Sequence, residues 1–177
     1  ICLNHWKAKS KDIIGIYADI GDGQGSHVLR RIHEAEATLT FLREITTYYD
    51  DPDVLVVGDL NAYTQEDPIR ILEEGGLVNQ LQKYTPDGYS YAYFSNGSNA
   101  VGYLDHSFAT ASLDKQISCA LPLRINADEP SQLEIGKNYV QKDNMYRCSD
   151  HNPILTSINL GGIGTAIKGN AAYHSTI

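Results

Sequence analysis

The chain has 177 residues, with 14 lysines and arginines against 22 aspartates and glutamates, a formal net charge of −8. That length suits one domain, and 42 % apolar residues can build a core, which excludes a disordered chain. Apolar runs such as Asp53 to Gly58 are far shorter than a membrane span, and a net anion repels a polyanion, so a phosphate-bearing partner needs a local basic patch, a bound metal, or both.

Ile1 to Trp6 alternates loosely and reads as a strand, followed by a polar, basic loop from Lys7 to Asp12. Asp19 to Gly25 is a Gly-rich loop. Its aspartates do not have the spacing of a helix–loop–helix calcium site, which leaves a solvated loop. A helix is expected from about Ser26 to Tyr48, with Ile32, Ala35, Leu39, Leu42 and Ile45 at helical spacing and Ser26 as cap. Asp50-Asp-Pro52 should end it. Val54 to Val57 is a β-branched and leucine run, expected as a strand buried on both faces. Pro68 to Glu74 reads as a short helix closed by Gly75-Gly76. Tyr89 to Phe94 alternates like an edge strand. Val101 to Ala109, Ile117 to Ile125 and Pro153 to Ile158 read as further strands. Asn126 to Arg147 is polar and irregular, and residues 161–177 read as a Gly-rich tail or linker. Several strands with one long helix point to an α+β fold.

Four motifs carry candidate chemistry. In Val54-Leu-Val-Val-Gly-Asp-Leu-Asn61, a buried strand ends in Asp59 and Asn61, two residues apart and so pointing the same way. Such a pair can hold an attacking water and donate to a developing oxyanion, although Gly, Asp and Asn also make plain turns. In Ser149-Asp-His-Asn-Pro153, Asp150 beside His151 suits a metal ligand next to an acid/base, or a simple loop. In Gly102-Tyr-Leu-Asp-His106, Asp105 sits in an apolar strand and needs a partner, which a histidine from elsewhere could supply; His106 points the other way and reads as structural. Asn4, His5, Lys7 and Lys9 gather at the end of the first strand, either as the basic patch a phosphate requires or as a solvated strand end.

Taken in order, Asn-His-x-Lys, Gly-Asp-Leu-Asn, Leu-Asp-His and Ser-Asp-His-Asn-Pro resemble the endonuclease/exonuclease/phosphatase superfamily, with its deoxyribonuclease-I-like fold. The chain most resembles the large secreted bacterial extracellular nucleases. These parallel Gly21-Asp-Gly-Gln-Gly25, Gly58-Asp-Leu-Asn-Ala62 with Glu66-Asp-Pro68, and Ile125-Asn-Ala-Asp-Glu-Pro130. The likeness runs from about Ile1 to Leu160. It implies half of a four-layer α/β/β/α sandwich, with a mixed, mostly antiparallel sheet and one long helix. It implies metal-dependent phosphodiester hydrolysis of DNA or RNA, with Mg²⁺, or Mn²⁺ or Ca²⁺, as cofactor, in an extracellular or periplasmic setting. By position, His5 matches a histidine on the scissile phosphate. Asp59 and Asn61 match the pair that positions water and transition state. Asp105 matches the carboxylate that orients the catalytic histidine, His151 that histidine, and Asp150 a metal ligand. Asn4 and Lys7 fall on the substrate-binding side.

The resemblance covers only the carboxyl-terminal half of that domain. The other half supplies an asparagine and a metal-binding glutamate, so residues 1–160 are expected to be a half-domain, a fragment or processed product. Its open sheet face should be covered by the other half or by a second copy, as in a homodimer. A phosphatase or phospholipid phosphodiesterase of the same fold, and a non-catalytic structural remnant, are the alternatives. Two further features stay open. Cys2, Cys119 and Cys148 lack CxxC spacing and fit one bridge or three thiols. Tyr84, Tyr89, Tyr91 and Tyr93 fit either bases stacked on them or a half-exposed β edge.

Overall fold

The loose alternation at the amino-terminal end makes β1 (Cys2–His5), the first strand of a computed structural model that describes residues 1–10, 13–95, 98–130 and 146–160. The expected tail at 161–177 and most of the irregular stretch before Arg147 lie outside the described residues. In chain order β1 is followed by a 3-10 turn (Gly15–Tyr17), α1 (Val28–Tyr49), β2 (Leu55–Asp59), α2 (Asp67–Glu74), β3 (Val78–Asn79) and α3 (Gln80–Tyr84). Then come β4 (Tyr91–Ser95), β5 (Ser98–Gly102), β6 (Asp105–Ala109), α4 (Ala111–Asp114), β7 (Ile117–Pro122) and β8 (Ile154–Ile158). The fold is α+β. No helix among the described residues is long and apolar enough to cross a membrane.

The main sheet has the order β1-β2-β6-β3, with β1 parallel to β2 and the other pairs antiparallel. β4 and β5 form a separate hairpin, and β7 and β8 a two-stranded ribbon. In the register of the main sheet, His5 stands opposite Asp59, and Asp59 opposite Asp105. Three chemically active side chains therefore occupy one row across three neighbouring strands.

One sheet face is closed by α1 and α2. Their Ala35, Leu42, Ile69 and Leu72 pack on Trp6, Val54, Val56, Leu60 and Phe108. Each large side chain of this kind contributes about 1.5–3 kcal/mol on burial. The stripe of α1 that turns inward is Arg31, Ala35, Thr38 and Leu42, so two polar residues lie where the apolar pattern placed Ile32 and Leu39. On the other face, Leu55 and Ala109 are covered by Leu113, Ile117 and Ile158, while Leu3 is 79 % exposed. β2 is thus fully buried at Leu55 and Val56 but only half-buried at Val57. Gly58, at φ +137°, is required by the β1–β2 approach: a Cβ there would lie 1.9 Å from the Asn4 carbonyl oxygen.

Three local expectations are corrected. Ser26 does not cap α1. The helix starts after His27, a left-handed residue with no capping side chain, and the Ser26 hydroxyl instead stitches to Ser10. Val101 to Ala109 is two strands, because Tyr103 and Leu104 turn inward between the β4–β5 hairpin and β6. Tyr103 donates its hydroxyl to Thr85 O (2.7 Å), and Leu104 O accepts Leu60 N–H (2.8 Å). The strand from Ile117 stops at Pro122 rather than Ile125. The short elements β3, α3 and α4 carry too few residues for a periodic signal.

Candidate active site

Ser90 is fully buried and holds the two halves of the site in one place. Its hydroxyl accepts the backbone N–H groups of Asp105 (2.9 Å) and Leu104 (3.1 Å), and its carbonyl accepts Asn152 N–H (2.6 Å). The Asp105 strand and the His151 loop are both pinned to one residue. His151 Nδ1 lies 2.7 Å from Asp105 Oδ2. With Nδ1–H donated to that carboxylate, Nε2 is the nitrogen left for chemistry. Burial alone would lower the His151 pKa. The hydrogen bond and charge of Asp105, with Asp59 and Asp150 behind it, outweigh burial and raise it above the ordinary range.

The loop that carries His151 is braced from below. Asn152 Oδ1 accepts the N–H groups of Asn126 and Ala127 (2.9 Å each), its amide donates to Asp128 (2.9 Å), and Asn126 donates to the His151 carbonyl (2.8 Å). The Asn126–Pro130 segment is a structural turn supporting the site.

Asp59 faces the same space. Burial raises its pKa, Asp105 adds to the rise, and the Asn61 N–H, His151 and His5 oppose it. Asn61 is not extended as the strand spacing suggested. It adopts φ +50°, and its N–H donates to Asp59 Oδ1 (2.9 Å) in a short side-chain turn. Its amide donates to Asp59 Oδ2 (3.1 Å) and to Trp6 O (3.0 Å). Both amide hydrogens are engaged, so Asn61 fixes the Asp59 carboxylate and ties it to β1. His5 is the open edge: its side chain is 76 % exposed, and Nε2 lies 3.6 Å from Asp59 Oδ2. Asp150 is exposed, and its charge bears on both His151 and Tyr91.

Thus the structure brings Asp59, Asp105 and His151 together, with His5, Asn61 and Asp150 at the margin. Asn4 does not join them. It faces α1, its amide donating to Cys2 O (3.3 Å) and its oxygen accepting Trp6 Nε1–H (3.2 Å). The Lys7 N–H donates to Glu34 (2.9 Å), and the Lys7 charge bears on His27 at the start of α1. Lys9 pairs with Glu66 and lies over the Tyr63 ring, 4.6 Å from its centroid. The expected basic patch is therefore split, and Lys9 is the member tied to the loop after Asn61.

Two further supports lie behind the site. His106, expected to be structural, is fully buried on the helix-facing side, its Nε2 bonded to Ala62 O (2.9 Å) directly after Asn61. Arg31, also fully buried, donates to the carbonyls of Ser26 (2.9 Å), Gln24 (2.9 Å) and Lys7 (3.2 Å) and pairs with Glu66 (3.4 Å). Burial lowers the Arg31 pKa and Glu66 raises it. This one side chain joins the Gly-rich loop, the end of β1 and the loop after Asn61. Neither Arg31 nor Ser90 stands out in the sequence.

Asp59, Asp105 and His151 each offer a ligand atom, all within 4.8 Å of one another. Asp105 and His151 spend donors on each other. The exposed Asp150 carboxylate, whose charge reaches His151, is a hard oxygen donor of the kind that suits Mg²⁺, Mn²⁺ or Ca²⁺.

The profile of the Endonuclease/Exonuclease/phosphatase family matches residues 21–151. No curated protein matches the chain. Among solved structures, the chain is similar to the mannosyl-6-phosphatase Bt3783 of Bacteroides thetaiotaomicron VPI-5482, at TM-score 0.51 and 16 % identity, over 78 % of this chain and 47 % of that one. It is similar to an endonuclease/exonuclease/phosphatase family protein of Bacteroides thetaiotaomicron, at TM-score 0.43 and 18 % identity, over 54 % and 34 %. It is also similar to a 3′ phosphatase of Neisseria bound to a product DNA hairpin, at TM-score 0.47 and 15 % identity, over 71 % and 51 %. The chain spans about a third to a half of the length of these proteins.

Proposed function

The chain belongs to the endonuclease/exonuclease/phosphatase family, and from that premise we propose that its Asp59–Asp105–His151 cluster performs metal-dependent hydrolysis of phosphodiesters in nucleic acid. The observation that carries the reading is the registered row His5–Asp59–Asp105 closed by the 2.7 Å Asp105–His151 bond. It sets a base, an orienting carboxylate and an imidazole around one open space.

Asp59, made more basic by burial and by Asp105, takes the proton of the attacking water. Asn61 holds that carboxylate in place. His151, whose pKa Asp105 raises above its ordinary range, donates a proton to the leaving oxygen as the P–O bond breaks and charge develops there. His5 approaches from the exposed edge and contacts a non-bridging oxygen. A divalent ion held by Asp150 would supply charge neutralisation on the phosphoryl oxygens.

We assign residues 1–160 to the carboxyl-terminal half of the family domain and 161–177 to a tail. The face bearing Leu3 is covered by the other half or by a second copy of the chain. We take the setting to be extracellular or periplasmic.

The test is relaxation of supercoiled plasmid in Mg²⁺ and in EDTA by the unmodified chain, Asp59→Ala and His151→Ala. Mg²⁺-dependent nicking that falls at least about 100-fold in both variants is the expected result. Equal nicking by the variants, or none by the unmodified chain, contradicts it.

A further inference from the structure

Among the described residues, Tyr84, Tyr89 and Tyr103 are anchored through their hydroxyls, Tyr84 on Ile117 O (2.6 Å), Tyr89 on Asp128, and Tyr103 on Thr85 O (2.7 Å). Tyr91 and Tyr93 are different. No described residue hydrogen-bonds either hydroxyl, and Tyr93 is 47 % exposed. They stand two residues apart on β4, on the same face. Their rings are parallel within 2°, with centroids 6.5 Å apart. Tyr91 is the end nearest the site: its ring lies 4.8 Å from the His151 ring, and the two residues share a backbone bridge. Gly102, opposite Tyr91, lacks a side chain, and a Cβ there would lie 2.8 Å from the Tyr63 ring. The Tyr63 ring thus closes on this corner and carries the Lys9 ammonium on its face.

We propose that Tyr91 and Tyr93 form a stacking platform for unpaired bases next to the phosphate bound at His151, so that the chain prefers single strands, or duplex opened locally as in a supercoiled plasmid, to closed linear duplex. The inference rests on the phosphodiesterase reading for its substrate class. The spacing decides between strand forms. Bases in a duplex stack at about 3.4 Å steps. Two rings 6.5 Å apart cannot each take a face of two neighbouring bases that remain stacked on one another. They fit bases pulled apart, one to a tyrosine, as in an extended single strand. Stacking also answers the charge problem, because it draws on no net positive charge in a chain at −8.

The test is fluorescence anisotropy in EDTA, where binding is read without turnover. Labelled oligo(dT), an abasic backbone of equal length and a blunt duplex are titrated with the full chain, Tyr93→Ala and Tyr93→Phe. The Tyr93 ring contacts that of Tyr91, and Trp6 emission reports whether each variant is folded. Oligo(dT) should bind about five- to a hundred-fold more tightly than the abasic strand, and more tightly than the duplex. Tyr93→Ala should erase that base dependence and Tyr93→Phe retain it. Equal binding of oligo(dT) and the abasic strand, preference for duplex, or unchanged base dependence in Tyr93→Ala overturns the platform. Failure of plasmid nicking bears on the phosphodiesterase reading, whereas loss of base dependence in EDTA bears on the platform alone.

Discussion

His106 makes acid stability a quantitative test of how the Asp59 loop is held. Its imidazole is fully buried and bonds Ala62 O, and burial pushes its pKa down to about 4 from 6.5. As pH falls below 6.5, the unfolded chain takes up a proton that the folded chain refuses until about pH 4. The stability is therefore complete above 6.5 and is lost between 6.5 and about 4. A difference of 2.5 pKa units corresponds to about 3 kcal/mol in all. About 1.4 kcal/mol of this is already lost at pH 5.5. His106→Gln keeps a donor for Ala62 O but does not titrate. Urea unfolding of both proteins at pH 7.5 and 5.5 in EDTA, followed by Trp6 emission, isolates the His106 contribution, since all other groups titrate alike in the two. The stability difference should move against the unmodified chain by about 1.4 kcal/mol on acidification. A difference independent of pH, or one that moves the other way, would refute a neutral, desolvated His106.

Ser90→Ala removes the acceptor of two backbone N–H groups at a fully buried position, and should cost about 1–3 kcal/mol in urea unfolding. It should lower plasmid nicking more than it lowers stability, because it frees Asp105 relative to His151; unchanged nicking would reduce Ser90 to a packing role. Arg31→Met leaves Glu66 with Lys9 as its remaining ion-pair partner and takes the donor from the Ser26, Gln24 and Lys7 carbonyls, and should cost about 1–3 kcal/mol. Arg31→Met with Glu66→Gln should recover part of that loss, and strictly additive costs in the double variant would contradict a coupled pair.

The site was legible where spacing and chemistry coincide. Asp59 ends a buried run, Asp105 interrupts one, and His151 follows an aspartate, so each stands out as a polar residue in a place that charges it a cost. His106 was legible as structural for the same reason, since it faces away from Asp105 on one strand. The register that aligns His5, Asp59 and Asp105 is a property of three strands far apart in sequence, and no local pattern states it. Asn4 and Lys7 neighbour His5 in the chain, but strand alternation turns Asn4 to the helix side, and the Lys7 charge bears on His27 at the start of α1. Ser90, Asn152 and Arg31 support the site through long-range hydrogen bonds, and the local sequence of a helix, a strand or a motif does not state such partners. Ser26 shows the same limit: its sequence suits a cap, while tertiary contact with Ser10 takes its hydroxyl. The helix of α1, the strand of β2 and the Pro-started α2 needed only local propensity and fell within a few residues of their expected bounds.

The most direct measurement is the initial rate of hydrolysis of a simple activated phosphodiester, bis(p-nitrophenyl) phosphate, by the unmodified chain and by His151→Ala, across a Mg²⁺ titration. The Asp105–His151 pair predicts a saturable Mg²⁺ dependence in the unmodified chain and a rate about 10²- to 10⁴-fold lower in the variant. Equal rates for the two proteins, or a rate indifferent to Mg²⁺, would contradict the assignment of this cluster as a phosphodiesterase centre.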